Sequence, residues 1–264
     1  RTVPFVSKAT GVQLAKAAVM IGLGKSIAEL KAEGHLPNSM DGASLPQNTA
    51  IAVKAAVLPF SRFRTPEGVV VDSLLSPEMR STGEVMGLDT HYDTAFAKAQ
   101  AGAGSPLPTE GKVFVSVANH DKRNVIIYAK MLEQLGFEIV STGGTADVLR
   151  RNGVNSTVAS KFAEANGQHS IVDMVRSGEI DLILNTPAGG AARSDGYEIR
   201  AAAVSVGCPV MTTISEFAAA VQAITALREH SWGIISLQEH NEYLHTASSG
   251  EQEDSNQVRE GELS

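Results

Sequence analysis

The stretch GFEIVSTGGT, residues 136–145, decides the fold and indicates a binding site. Its first half is rich in β-branched and aromatic residues, which predicts a strand. Gly143 and Gly144 allow a turn that directs backbone N–H groups toward a ligand. Thr145 then suits the N-cap of a helix over residues 146–151, whose first N–H groups and positive dipole end attract an anion. The alternative is that the two glycines only make a tight connection between strand and helix.

Strands and helices alternate around this stretch. Strands are predicted over residues 112–117, 137–140, 181–184, 209–211 and 233–236, and helices over residues 122–135, 146–151, 171–176, 198–206 and 214–227. The alternation is typical of an α/β domain with a Rossmann-like parallel sheet and helices on both faces. In such sheets ligands bind beyond the carboxyl ends of the strands. This rule places four segments around one crevice: residues 116–122, 142–145, 185–189 and 212–213.

The first part of the chain is less regular. Helices are predicted over residues 12–22 and 92–99, a strand over residues 51–60 and a loop over residues 34–48. Ser26 and Glu29 have the spacing of a capping box, which predicts a further short helix. Residues 102–111, GAGSPLPTEG, combine glycine, proline and small side chains, which is typical of a linker between two parts of a chain.

Composition excludes several classes of function. The 264 residues carry a net charge of −7, so broad electrostatic attraction to nucleic acid is not expected. Residues 241–264 hold five of those net negative charges and read as a disordered acidic tail. Cys208 is the single cysteine, so the chain can form neither an internal disulfide nor a thiolate metal cluster. No apolar run approaches the roughly 20 residues of a membrane span, and a cytoplasmic protein without membrane contact is expected.

Two familiar nucleotide motifs and a metal site are not supported by the residue spacing. Residues 22–26, GLGKS, end like a Walker A loop, but Val19 stands where that motif needs a glycine. No Gly-x-Gly-x-x-Gly follows a predicted strand. The seven histidines are scattered, without the spacing of metal ligands, so no metal site is predicted.

Residues 77–87, PEMRSTGEVMG, look like a signature of the carbamoyl phosphate synthase large chain. Residues 1–11, RTVPFVSKATG, and residues 57–60, VLPF, agree with it in the same order. The part after the linker resembles the methylglyoxal-synthase-like (MGS-like) allosteric domain that ends the same large chain. The resemblance implies four parts: a C-terminal remnant of an ATP-grasp synthetase domain at 1–101, the linker at 102–111, the MGS-like domain at 112–240 and the tail at 241–264.

In that family, two ATP-grasp halves use Mg-ATP, with magnesium or manganese, to make carbamoyl phosphate from bicarbonate and ammonia. A glutaminase small subunit supplies the ammonia, and the product serves pyrimidine or arginine biosynthesis. The resemblance places the metal ligands upstream of Arg1, so it implies a regulatory fragment without catalytic residues or a cofactor of its own. The implied partners are the upstream synthetase domains, the glutaminase subunit and further copies in an oligomer.

The resemblance also implies a nucleotide monophosphate effector, uridine monophosphate (UMP) or inosine monophosphate (IMP). The positions that match its phosphate and ribose contacts are Lys122, Thr142, Gly143, Gly144, Thr145, Lys161, Asn185 and Thr186. Ser116 of the predicted crevice completes the set of candidate site residues. Two positions depart from the family pattern. Ala55 stands where relatives often have a glutamate near an ornithine activator site, and Gly143 stands where some carry histidine.

The alternative function is that of a free-standing lyase of the methylglyoxal synthase type, acting on dihydroxyacetone phosphate. Such an enzyme needs a carboxylate base near the substrate carbons. Residues 167–169, GQH, and residues 185–187, NTP, replace the two runs that carry aspartate in that family. The sequence therefore favours a domain that binds a phosphate compound without abstracting a proton.

Overall fold

The computed structural model describes residues 2–38, 50–62, 73–74, 79–160, 170–187, 189–229 and 232–242, with the backbone alone at residues 61 and 189–195. The chain separates into two compact units. One consists of Arg1–Ala50 with Trp232–Ser264, and the other of Ile51–Ser231. Most of the predicted loop at 34–48, the start of the motif at 77–87 and most of the predicted tail at 241–264 lie outside the described residues.

The first unit is helical where it is described. Its helices are α1 (Thr2–Thr10), α2 (Leu14–Gly22) and α3 (Ile27–Ala32). The predicted capping box is confirmed, because Ser26 Oγ accepts from Glu29 N at 3.2 Å and Glu29 Oε2 accepts from Ser26 N at 2.7 Å. The predicted strand at 233–236 is wrong. These residues are irregular and Ile234 is 86% exposed, and no strand is described in this unit that could pair with them.

The second unit begins with an antiparallel hairpin covered by a helix. The elements are β1 (Ile51–Val57), β2 (Gly83–Asp89) and α4 (Tyr92–Gly102). The sequence predicted β1 and α4, whereas β2 was missed. Lys54 of β1 forms an ion pair with Glu84 of β2 at 3.5 Å. Gly87 lets α4 approach β2 closely, since a Cβ atom there would lie 2.6 Å from Ala99 N.

A five-stranded parallel sheet follows, so the predicted α/β fold is confirmed. Its strands are β3 (Lys112–Ser116), β4 (Glu138–Ser141), β5 (Thr157–Val158), β6 (Leu182–Asn185) and β7 (Val210–Met211), in the order β5-β4-β3-β6-β7. Its helices are α5 (Val125–Gln134), α6 (Gly143–Arg151), α7 (Ile171–Arg176), α8 (Gly189–Val206) and α9 (Ile214–Glu229). The sequence missed β5 and started α8 nine residues too late.

The two faces of this sheet bury different hydrophobic clusters. Val113 and Val115 pack in one cluster with side chains of α5 and α9, whereas Phe114 packs in the other with α7 and α8. The split follows from the period of two along a strand, which sends successive side chains to opposite faces. Burial of each large side chain contributes about 1.5–3 kcal/mol, so both helical layers are held firmly on the sheet.

The order of the strands places a topological switch point between β3 and β6. From β3 the chain moves outward to β4 and β5, and it then returns to place β6 on the other side of β3. The connections after β3 and β6 therefore leave in opposite directions. Such a switch point opens a crevice at the carboxyl ends of the two strands, where open α/β sheets bind their ligands.

Candidate functional site

The connection from β4 to α6 is tighter than the sequence predicted. Thr142 is the N-cap of α6, and the amides of Thr145 and Ala146 both donate to Thr142 O at 2.9 Å. The predicted N-cap at Thr145 is therefore wrong, and Gly143 and Gly144 belong to the first turn of the helix. Glycine is typical of turns, but the first turn of a helix tolerates it as well.

This helix start has amide groups available to an acceptor. The N–H groups of Gly143 and Gly144 precede the first intrahelical bonds, so the helix itself supplies no acceptor for them. Within the part of the chain that the structure describes, the Thr142 side chain makes no capping hydrogen bond. A Cβ atom added at Gly143 would meet no described atom within 4 Å. The two amides lie at the positive end of a nine-residue helix, which favours a negatively charged acceptor.

Lys122 brings a positive charge to the same place. It follows the 3₁₀ turn Asn119–Asp121, which begins three residues after β3 ends. A Cβ atom built on Gly144 would lie 3.0 Å from Lys122 Nζ. The ammonium group therefore sits over the first turn of α6, where Gly144 leaves room for it.

Three hydroxyl groups connect the end of β3 with the start of α6. Ser116 Oγ lies 3.4 Å from Thr142 Oγ1, which in turn lies 3.4 Å from Thr145 Oγ1. Both distances are long for hydroxyl hydrogen bonds, so Ser116 and Thr142 keep the capacity to donate to a ligand oxygen, whereas Thr145 is only 1% exposed. The structure thus gathers six of the nine predicted site residues: Ser116, Lys122, Thr142, Gly143, Gly144 and Thr145.

Asn185 and Thr186 lie at the end of β6 and are both 7% exposed. Ala118 N donates to Thr186 Oγ1 at 2.8 Å, and Asn185 Nδ2 lies 3.5 Å from Ser116 O. These bonds tie the ends of β3 and β6 together at the switch point. Contact of either side chain with a ligand stays a prediction. The predicted site residue Lys161 and residues 167–169 lie outside the described residues.

Arg200 was missed by the sequence argument. This residue of α8 is 0% exposed, and its Nη1 donates to Asn185 Oδ1 at 2.8 Å. Gly196, one turn earlier, makes the space, because a Cβ atom there would lie 2.7 Å from Asn185 Oδ1 and would collide with Nη1 of Arg200. The available signal was an arginine among the core residues Ile199, Ala202 and Ala203, with glycine four positions before it.

The second unit also contains a cavity of about 710 Å³ beside β1, β7 and α4, and Ala55 is among its lining residues. Glu216 lines it as well. Burial raises the pKa of this carboxyl, although its hydrogen bond from Thr212 N acts in the opposite direction. Cys208 also lines the cavity, and its pKa is raised to about 12 by burial and by the negative charge of Asp181. At neutral pH this thiol is therefore protonated.

Within the described ranges of the chain, no cluster of three or more histidine, cysteine, aspartate or glutamate residues is arranged to hold a metal ion. In the same ranges no helix combines the length and apolar character needed to cross a membrane.

The class of the sheet domain follows from its sequence as well as from its geometry. Residues 124–212 match the family of MGS-like domains, and these residues include α5, β4, α6 and β6. This part of the second unit is therefore similar to MGS-like domains, and the candidate site lies at the carboxyl ends of the central strands.

The whole chain is similar to carbamoyl phosphate synthase large chains. It is 67% identical to that of Kocuria rhizophila over 246 residues, which is 92% of this chain and 22% of the relative. It is 67% identical over 244 residues to that of Pseudarthrobacter chlorophenolicus and 65% identical over 251 residues to that of Paenarthrobacter aurescens. These comparisons confirm the resemblance inferred from the sequence. The chain spans about a fifth of the length of these relatives, which fits the expected C-terminal fragment.

Proposed function

We propose that this chain is the regulatory part of a carbamoyl phosphate synthase large chain and that its MGS-like domain binds a nucleotide monophosphate effector through the phosphate. The observation that carries the proposal is the position of Lys122 Nζ, next to Gly144 in the first turn of α6. A lysine beside uncapped helix amides is a suitable environment for a small anion.

The donors and the cation of this candidate site suit a phosphate dianion. The amides of Gly143 and Gly144 and the hydroxyls of Ser116 and Thr142 can donate to the phosphate oxygens, while Lys122 neutralises charge. The expected effectors are UMP and IMP, with Asn185 and Thr186 of the β6 end available to the ribose, and Lys161 as a second cation. Binding changes the activity of the enzyme by favouring one of its conformations.

The parent enzyme makes carbamoyl phosphate from glutamine-derived ammonia, bicarbonate and Mg-ATP. In this proposal residues 1–101 are the end of its second ATP-grasp domain, residues 102–111 a linker and residues 112–240 the allosteric domain. The fragment is not catalytic by itself. Its partners are the upstream synthetase domains, the glutaminase subunit and further copies of the enzyme in the cytoplasm.

The test is calorimetric titration of the 264-residue chain with UMP and with IMP. Lys122→Ala is expected to weaken binding at least tenfold, about 1.4 kcal/mol, because it removes the cation next to the phosphate. Lys130→Ala on α5 is the matched control, since it removes an exposed lysine of the same domain and should leave the affinity unchanged. Equal affinities of the two variants, or no binding of either nucleotide to the unaltered chain, would refute the proposal.

A lyase reaction is distinguished by its product. A lyase base would be a carboxylate, whereas Asn185 and Thr186 offer an amide and a hydroxyl. We therefore expect no methylglyoxal when the purified chain is incubated with dihydroxyacetone phosphate. Formation of methylglyoxal above the rate without protein would replace the regulatory proposal by the enzymatic one.

A further inference from the structure

Exposed apolar side chains of the described residues are concentrated in the first unit. Eight of the fourteen exposed large hydrophobic side chains in the described ranges belong to this unit, although it is the smaller of the two. Three of the eight lie close together in sequence, because Trp232 is 38% exposed, Ile234 86% and Ile235 59%. Concentrated exposed apolar side chains mark surfaces that contact other protein. We call residues 232–235 the apolar segment.

The backbone of the apolar segment is as exposed to pairing as its side chains. Its amide and carbonyl groups make no hydrogen bond with another described residue. The sequence Trp-Gly-Ile-Ile combines aromatic and β-branched side chains, which are typical of strands. A strand is stable only with a neighbour, and an unpaired strand is a template for pairing with another chain or domain. The apolar segment therefore has the composition of a strand but no partner strand among the described residues.

A short helix holds the C-terminal end of the apolar segment on the first unit. Ser236 caps this helix over residues 237–242, since Ser236 N donates to Glu239 Oε2 at 2.7 Å and Ser236 Oγ accepts from Glu239 N at 3.2 Å. His240 is 3% exposed, and its Nε2 donates to Ala9 O, 3.1 Å away in the last turn of α1. The apolar segment thus leads directly into a helix that is docked on α1.

We propose that the apolar segment is an interaction strand that adds, through backbone hydrogen bonds, to the edge of a sheet in the upstream synthetase part of the large chain. This inference rests on the proposed function, because the partner is a part of that enzyme. The apolar segment lies in the unit of residues 1–50, which resemble the synthetase, and not in the sheet domain. The chain spans 22% of the Kocuria rhizophila relative, so most of that protein is available as the partner surface.

The side chains of the apolar segment define the kind of sheet that receives it. In a strand, successive side chains point to opposite faces, so Ile234 and Ile235 face different sides. A strand that is apolar on both sides is typical of a sheet covered on both faces. The receiving sheet is therefore covered by other elements on each side of its edge. A second copy of this chain is not the partner, because an isolated pair of such short strands is at best marginally stable.

Hydrogen–deuterium exchange followed by mass spectrometry measures the pairing directly. In the 264-residue chain, the amides of Gly233, Ile234 and Ile235 should exchange as fast as in an unstructured peptide. Only alternate amides of an added strand face its neighbour, so at least one of the three should exchange at least about tenfold more slowly in the complete large chain. Fast exchange of all three amides in both proteins would overturn the inference. Slow exchange in the 264-residue chain that increases with its concentration would identify a second copy as the partner and overturn it as well.

Ile234→Asp tests the contribution of the side chain. This side chain is exposed, so the unfolding temperature of the 264-residue chain should not change. In the complete large chain the buried carboxylate should remove the slow exchange of the apolar segment. Ile127→Asp is the matched control, because Ile127 is 61% exposed on α5 of the sheet domain and should leave that exchange slow. Equal exchange of the apolar segment in the two variants would contradict the proposed contact of Ile234.

The outcomes separate this inference from the proposed function. If UMP binds and Lys122→Ala weakens it, but the apolar segment exchanges fast in the complete large chain, only the interaction strand is overturned. If neither nucleotide binds but the segment is slow in the complete large chain alone, the effector proposal fails and the interaction strand stands. If the complete large chain makes no carbamoyl phosphate, the proposed parent is wrong and the interaction strand is overturned with it.

Discussion

Gly87→Ala tests how α4 is held on the hairpin. The added methyl group would collide with Ala95 O and lie 2.6 Å from Ala99 N, whereas an ordinary contact of a Cβ atom begins near 3.4 Å. The obstructing atoms belong to the helix backbone and cannot rotate away. The helix must therefore withdraw by at least roughly 0.8 Å, the difference between those two distances, and α9 packs against it as well. Overpacking of a core costs about 1–3 kcal/mol, and a backbone collision belongs at the upper end, near 3 kcal/mol.

The assay is chemical and thermal unfolding followed by far-ultraviolet circular dichroism. For a unit the size of Ile51–Ser231, each kcal/mol lowers the unfolding temperature by about 2–4 °C, so we expect a decrease of about 6–12 °C. Gly83→Ala is the matched control in the same strand, because its methyl group would meet no described atom within 4 Å. Its unfolding free energy should change by less than about 0.5 kcal/mol. Equal losses in the two variants would show that the contact of α4 with β2 is not as close as described.

Three further predictions concern the cavity. Cys208 should react with a thiol reagent at pH 8 at least about a hundredfold more slowly in the native chain than in urea, because burial raises its pKa to about 12. Comparable rates in the two states would contradict the burial of the thiol. Glu216→Gln should increase the free energy of unfolding at pH 7. A carboxyl with a raised pKa in the folded state destabilises the fold at pH values above that pKa. The gain in unfolding free energy should therefore disappear in urea titrations below about pH 4.5. A gain that does not depend on pH would contradict the raised pKa of Glu216. Ornithine should not raise the unfolding temperature, because Ala55 of the cavity stands where relatives often have a glutamate near their ornithine activator site. A rise that saturates with ornithine would contradict this expectation.

The alternating strands and helices of the sheet domain were predictable because its strands are short apolar runs separated by helical periodicity. β2 was not, because Gly83, Gly87 and Asp89 give its sequence the composition of a loop. Only the partner strand and the approach of α4 explain why this segment is extended. The strand expected at 233–236 shows the converse. A run with strand composition forms no strand in the described structure, since a strand is stable only with a neighbour.

The site was predictable to the extent that its residues follow strand ends directly. Ser116, Thr142 and Asn185 lie at or next to the carboxyl ends of β3, β4 and β6, so the rule for parallel sheets brings them together. The beginning of α6 was placed three residues too late, because glycine has a low helix propensity and was therefore assigned to a turn. In the first turn of a helix this low propensity matters least. Arg200 could not be placed, because its role depends on a contact between two elements distant in sequence.

Alanine is frequent where α4 packs on the hairpin and on the sheet domain. Ala95 and Ala99 of α4 lie next to Gly87 of β2, and Ala97 belongs to the same buried cluster as Phe96 and as Ala219 and Ala220 of α9. Alanine has no side-chain rotamers, so a small displacement of one helix cannot be absorbed by a side chain turning aside. We therefore expect a displacement of α9 to reach α4 through these contacts, and to reach the hairpin through the close approach of α4 at Gly87.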